Sequence, residues 1–176
     1  MPGAVAGLLA AHRAYGRLTL PEVLAPALRY AEEGFEVDSA LARSLGRAQG
    51  RIMKYAGGPL PFYPGGAAPA PGTRITQPAL ARTLRRILNH GTDGFYRGET
   101  ARMLAAEMKR LGGIITEEDL ARYKAEVRQP VTSTYRGYTL LTMPPSSSGG
   151  VTITETLNIL EGYASFPAFG TAPQAH

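Results

Sequence analysis

Cysteine and tryptophan are absent from the 176 residues, and histidine occurs only as His12, His90 and His176. Without cysteine there is no disulfide, no thiolate metal site and no cysteine nucleophile, while the compartment stays open, since many exported proteins also lack the residue. The histidines fall on separate predicted helices, with no His-x-x-x-His or His-Glu-x-x-His spacing, so no metal site is expected. No tryptophan and scattered tyrosines leave no aromatic platform on which bases could stack. Long hydrophobic runs are missing too. The apolar stretch 4–11 is too short to span a bilayer, ends in His12 and Arg13, and follows no charged n-region, so neither a signal peptide nor a membrane segment is expected in this sequence.

What is present is the composition of a globular protein, 44% hydrophobic and 19% charged, long enough for one domain with its own core and no internal boundary. A net charge of +5 invites a nucleic-acid reading, but the cations are spread along the chain among Asp and Glu. The densest cluster, Arg82-Thr83-Leu84-Arg85-Arg86, lies on a predicted helix whose buried face is Leu80, Leu84, Ile87 and Leu88. It reads as a solvated helix face, and no nucleic-acid partner is expected.

Periodicity and stop signals give the order of elements. Pro2-Gly3 opens a helix over 4–15 that Gly16 stops in the C′ position. Pro21 suits the first turn of a second helix, closed by Gly34 and tightened or kinked by Pro26; Asp38 caps a third, through Leu41, Leu45 and Ile52 to about Tyr55. The Gly-, Pro- and Ala-rich stretch 57–72 is a loop with one aromatic anchor among Leu60, Phe62 and Tyr63. Gln77-Pro78 starts a fourth helix ending at His90-Gly91, and a short turn from Thr92 or Asp93 carries Phe95 and Tyr96. A fifth helix spans about 99–111 and stops at Gly112-Gly113. Thr116-Glu117-Glu118-Asp119 is a capping-box-like start of a short helix. Val127, Val131, Thr132, Thr134, Tyr135, Tyr138, Leu140 and Thr142 then have strand bias, with Arg136-Gly137 as the turn of a hairpin. A sixth long helix follows over about 149–163, and 171–176 looks like the start of another. A lone hairpin is marginal in water, so this one needs neighbours.

The most informative segment is the join Met143-Pro144-Pro145-Ser146-Ser147-Ser148-Gly149-Gly150 between hairpin and helix. Its prolines fix φ, its hydroxyls can cap helix N–H groups, and its glycines allow close backbone approach. Such a join could cradle an anion, present a serine nucleophile or simply start a helix. No Gly-x-Ser-x-Gly elbow and no P-loop lysine surround it, so capping and loop packing are the expected roles. Glu117, Glu118 and Asp119 point in different directions on a helix and read as cap and dipole residues rather than a general acid or base. His90 reads as a charge on its helix C-terminus.

Taken in order, Pro2-Gly3-Ala4-Val5-Ala6-Gly7, Tyr15-Gly16, Pro26-Ala27, Ala31-Glu32-Glu33-Gly34-Phe35 and Gln77-Pro78-Ala79-Leu80-Ala81 are collinear with a known pattern. It continues through Gly94-Phe95-Tyr96-Arg97-Gly98, Gly112-Gly113-Ile114-Ile115-Thr116, Asp119-Leu120-Ala121-Arg122-Tyr123, Tyr135-Arg136-Gly137-Tyr138, 144–150 and Leu157-Asn158-Ile159-Leu160-Glu161. Over nearly its whole length the chain resembles the gamma-glutamyltransferase (gamma-glutamyltranspeptidase, glutathione hydrolase) family. A third proline usual in the family is replaced here by Ser146. The resemblance implies a helix-rich α+β fold, part of the αββα sandwich of N-terminal nucleophile hydrolases. It also implies a precursor that cleaves itself into large and small subunits, freeing a threonine nucleophile in a Thr-His-Tyr-Ser-like context.

No threonine here is followed by histidine. The resemblance therefore places the chain inside the large subunit, with the nucleophile downstream and the arginine that holds the substrate α-carboxylate upstream of Pro2-Gly3. No catalytic, substrate-binding or metal residue is assigned within 1–176, and Gly149-Gly150 and Ser147-Ser148 are not the family's oxyanion glycines and paired serines. No cofactor is implied. The implied partners are a gamma-glutamyl peptide substrate and the small subunit of the same precursor. The residues alone leave localisation unknown, and the family's habit implies a periplasmic or extracellular parent. The family commonly has Val before Pro-Gly, so Met1 is expected to be an internal start or the product of a truncated gene prediction. The alternatives are a cephalosporin-acylase-like relative and a non-catalytic basic helical module that binds acidic partners.

Overall fold

The computed structural model describes residues 2–163, which fall into two compact units that divide between Ala125 and Glu126. The expected start of a helix at 171–176 lies outside the described residues.

The first unit contains α1 (Ala4–Tyr15), α2 (Leu20–Glu33), β1 (Phe35–Glu36), α3 (Ser39–Tyr55), a 3-10 turn (Pro64–Gly66), β2 (Arg74–Ile75), α4 (Pro78–His90), α5 (Asp93–Tyr96), α6 (Gly98–Arg110) and α7 (Glu117–Arg122). Three of the seven helix starts, those of α2, α3 and α7, are set by short polar side chains, as local sequence dictates. Asp38 Oδ1 accepts from Leu41 N at 2.7 Å at the head of α3, and Thr116 and Asp119 form a reciprocal capping box on α7. A second capping box, Thr19 with Glu22, starts α2; the sequence reading credited that start to Pro21 alone. α2 runs unbroken through Pro26. Gly16 ends α1 in extended backbone, φ −66° and ψ 136°, rather than the left-handed C′ expected for it. It excludes other residues there by crowding, because a Cβ would lie 2.4 Å from the His12 carbonyl oxygen.

α2 packs along α4, burying Leu28 and Ala31 on one and Ala81 and Ile87 on the other. Leu80 was placed on the buried face of α4 but is 42% exposed, and Leu84 and Leu88 are half-buried; the helix turns Ala81 inward in its place. β1 and β2 pair antiparallel, Phe35 with Ile75 and Glu36 with Arg74, a contact the sequence reading did not foresee. Residues 57–72 are mostly irregular, as expected, and Tyr63 anchors them: it is 3% exposed and its hydroxyl donates to Leu45 O at 3.0 Å. The core proper gathers Ala6, Tyr96, Ala101 and Leu120, flanked by Val5, Phe95, Leu104, Ile115, Tyr123 and Ala125.

The second unit is β3 (Val131–Tyr135), β4 (Tyr138–Thr142) and α8 (Gly149–Glu161). The strands form the expected hairpin, registered from Val131 opposite Thr142 to Tyr135 opposite Tyr138. Arg136 and Gly137 have φ of 48° and 84°, the positive values that a primed two-residue hairpin turn requires. Val127, credited with strand character, is 96% exposed and irregular, because the ladder begins only after Pro130. α8 packs on the hairpin, where Thr154 and Ser133 hydroxyls meet at 3.3 Å and Arg136 N donates to Glu161 Oε1 at 2.8 Å. Together the elements make a helix-rich α+β protein. Among the described residues no helix is long and apolar enough to cross a membrane.

Candidate functional site

The strand-to-helix corner at 143–150 is built for close packing. Gly150 is buried where α8 meets the end of β4, and a Cβ there would stand 2.0 Å from Met143 O and 2.8 Å from Thr142 Oγ1. Ser147 N donates to Pro144 O at 3.2 Å, closing the turn, and Arg128 Nη1 donates to Pro145 O at 2.7 Å. The hydroxyls cap less than expected. Ser148, the residue before α8, has φ −74° and ψ −18°, already helical, and makes no side-chain cap; only Ser147 Oγ accepts, from Gly149 N at 3.3 Å. A cap needs extended backbone so that the side-chain oxygen swings back over the first turn. Ser146, Ser147 and Ser148 are exposed, and the described residues of this unit include no histidine to serve as a base.

The acidic start of α7 is equally structural. Asp119 Oδ2 accepts from Thr116 N at 2.9 Å and Thr116 Oγ1 at 2.7 Å, and these bonds hold its carboxyl below the ordinary aspartate value. His90 borders a cleft with Arg86, Asp93, Arg97 and Glu99, but the charges there are matched: Arg86 to Glu99 at 2.5 Å and Arg97 to Asp93 at 3.3 Å. His12 Nε2 lies 2.9 Å from Leu18 O, bridging the α1–α2 connection. Among the described residues no group of three or more His, Cys, Asp or Glu could hold a metal ion.

The distinctive sequence motifs converge elsewhere, in the first unit. Tyr96, within Gly94-Phe95-Tyr96-Arg97-Gly98, donates through its hydroxyl to Pro2 O at 2.7 Å and accepts from Ala6 N at 3.1 Å, fixing the Pro2–Gly7 segment. Burial raises its pKa above the usual tyrosine value. Its ring stacks on Tyr123 at 5.5 Å, and Tyr123 in turn lies where a Cβ on Gly3 would sit, 2.1 Å from the hydroxyl oxygen. Gly94 is similarly constrained, its would-be Cβ 2.1 Å from Arg86 O. These residues hold backbone segments against one another.

The family model described as gamma-glutamyltranspeptidase matches residues 1–176. A glutathione hydrolase proenzyme from Pseudomonas sp. (strain A14) is 44% identical over 164 residues, covering 93% of this chain and 28% of the relative. Among solved structures, the Helicobacter pylori gamma-glutamyltranspeptidase superposes with a TM-score of 0.89 at 38% identity, over 98% of this chain and 50% of that one. A cephalosporin acylase from Bacillus halodurans gives 0.88 at 36% identity, over 100% of this chain and 34% of that one. The chain spans 28–32% of the length of the first curated relatives it matches.

Proposed function

Because the chain belongs to the gamma-glutamyltranspeptidase family, we propose that it is an internal portion of the large subunit of a self-processing gamma-glutamyl hydrolase and transferase. All of 1–176 would form part of one large-subunit domain, partnered by the small subunit of the same precursor. The family match along the whole chain, set against the small share of each relative that it spans, carries this reading. The nucleophilic threonine and the arginine that holds the substrate carboxylate would both lie outside these residues. In the complete enzyme the threonine hydroxyl attacks the carbonyl carbon of a gamma-glutamyl amide, and its own α-amine takes the proton and passes it to the departing amine. The resulting ester is then opened by water or by the amine of an amino acid or peptide, restoring the threonine.

The chain alone is therefore expected to be inactive. Incubating it with gamma-glutamyl-p-nitroanilide should release no p-nitroaniline; turnover above that of a buffer control would overturn the reading. A second reading, acylase activity on a related amide, is favoured by the likeness to the cephalosporin acylase. Assaying the full-length parent precursor after self-processing, with gamma-glutamyl-p-nitroanilide beside a glutaryl-amide substrate, decides between them.

A further inference from the structure

The sequence of α3, Ser39–Tyr55, contains no Asp or Glu, yet it carries Arg43, Arg47, Arg51 and Lys54. Its two faces differ sharply. Leu41, Leu45 and Ile52 are half-buried toward the loop anchored by Tyr63, and Gln49 closes that side by donating to Gly66 O at 3.3 Å and accepting from Ala68 N at 3.2 Å. Arg43, Arg47 and Arg51 stand exposed on the other side, flanking a shallow groove whose remaining lining is Ala40, Ser44 and Ala48. Four-residue spacing sets successive guanidinium stems about 6 Å apart along the helix.

Six arginines elsewhere in this unit, Arg74, Arg85, Arg86, Arg97, Arg110 and Arg122, pair with a carboxylate, while Arg13, Arg17, Arg29, Arg82 and Arg102 form no ion pair among the described residues; what sets α3 apart is that three such arginines line one face of one helix. The three on α3 form no ion pair or hydrogen bond among the described residues, and like charges four apart repel one another. The row therefore presents an unbalanced positive stripe along one side of the helix.

We propose that this face of α3 docks an acidic polypeptide segment whose carboxylates recur about every 6 Å along one side. Glu or Asp at every fourth position of a helix gives a repeat of about 6 Å, and at every second position of a strand about 6.6 Å. The planar guanidinium fork binds carboxylates in bidentate fashion, and the small residues of the groove let the partner's ridge of side chains approach closely. A single-stranded nucleic acid fits less well, because no aromatic residue lines the groove to stack its bases. Membrane insertion fits less well too, since the apolar side of α3 is turned toward its own loop.

The test is a fluorescence-anisotropy titration of the chain with a labelled helical peptide bearing glutamate at every fourth position, beside the same peptide with glutamine there. The glutamate peptide should bind and the glutamine peptide should not, and added salt should weaken binding as expected for exposed charges. Arg47→Gln should weaken binding about threefold, and the Arg43→Gln/Arg47→Gln/Arg51→Gln variant about thirtyfold. Circular dichroism establishes that each protein keeps its helix content. Equal binding by the triple variant, failure of the helical wild-type chain to bind, or tighter binding of oligothymidylate or phosphatidylglycerol vesicles would each overturn the proposal. Turnover is not measured, so the outcome is independent of the enzymatic reading.

Discussion

Tyr96 connects its own motif to backbone 90 and 94 residues away in sequence, at Ala6 and Pro2, through one hydroxyl that both donates and accepts. Replacing it with phenylalanine keeps the ring stacked on Tyr123 but leaves the buried Ala6 N–H without a partner. Such an orphaned donor costs about 1–3 kcal/mol, so Tyr96→Phe should lower the denaturation midpoint in urea with little change in slope. Gly94→Ala should cost a comparable amount for a different reason, because its methyl meets the Arg86 carbonyl, which belongs to helix backbone and cannot swing away. Crowding thus dictates the glycine at Gly3, Gly94 and Gly150 in these motifs, whereas Gly98, Gly112 and Gly137 have open space and are favoured by their positive φ. The close approach expected of the glycines at 149–150 is found at Gly150; that Gly3 and Gly94 are spacers depends on which distant segments meet, and no local pattern carries that.

At the scale of elements, the helices were readable where their ends carry a chemical signature, as with Asp38 on α3, Gly91 after α4 and Thr116 on α7. The β1–β2 pair was not, because two-residue strands have no periodicity and the partners, Phe35 with Ile75 and Glu36 with Arg74, are far apart in sequence. Of the three serine hydroxyls expected to cap α8, only Ser147 accepts a helix N–H; Ser148 does not, since a hydroxyl caps from extended backbone and the corner delivers Ser148 already helical. The two capping boxes make an acid-sensitive prediction. Glu22 and Asp119 are held below their ordinary pKa values, first by the Thr19 and Thr116 hydroxyls and then by the backbone N–H groups of the same threonines. The folded state thus binds their protons less readily than the unfolded state. Their contribution is complete above the unfolded values, about 4 to 4.5, and fades as pH falls through the lowered folded ones. Thr116→Ala should cost about 1 kcal/mol at neutral pH and flatten the loss of stability below about pH 4, as followed by circular dichroism. An unchanged acid limb in that variant would assign the acid sensitivity to other carboxylates.

For the whole molecule, the two units carry very unequal interiors. The first has a contiguous core around Tyr96, Ala101 and Leu120. In the second, Gly150 is the one residue of α8 that is buried, while Leu141, Met143, Val151, Ile153 and Ile159 lie exposed. A hairpin gains stability by packing on a helix, but with that much apolar surface left open α8 contributes little burial to the pair. The sequence already pointed this way, since a lone hairpin needs neighbours, but the imbalance of burial could not be read from composition. Amide exchange should therefore be slow in α4 and α6 and fast in β3 and β4, reflecting separate local opening free energies. Limited trypsin digestion should cut first around the irregular, exposed Lys124 and leave a product that retains α1 to α7. If the two units instead exchange at one common rate and the chain resists cleavage there, the second unit draws more stability from its few contacts than exposed apolar area allows.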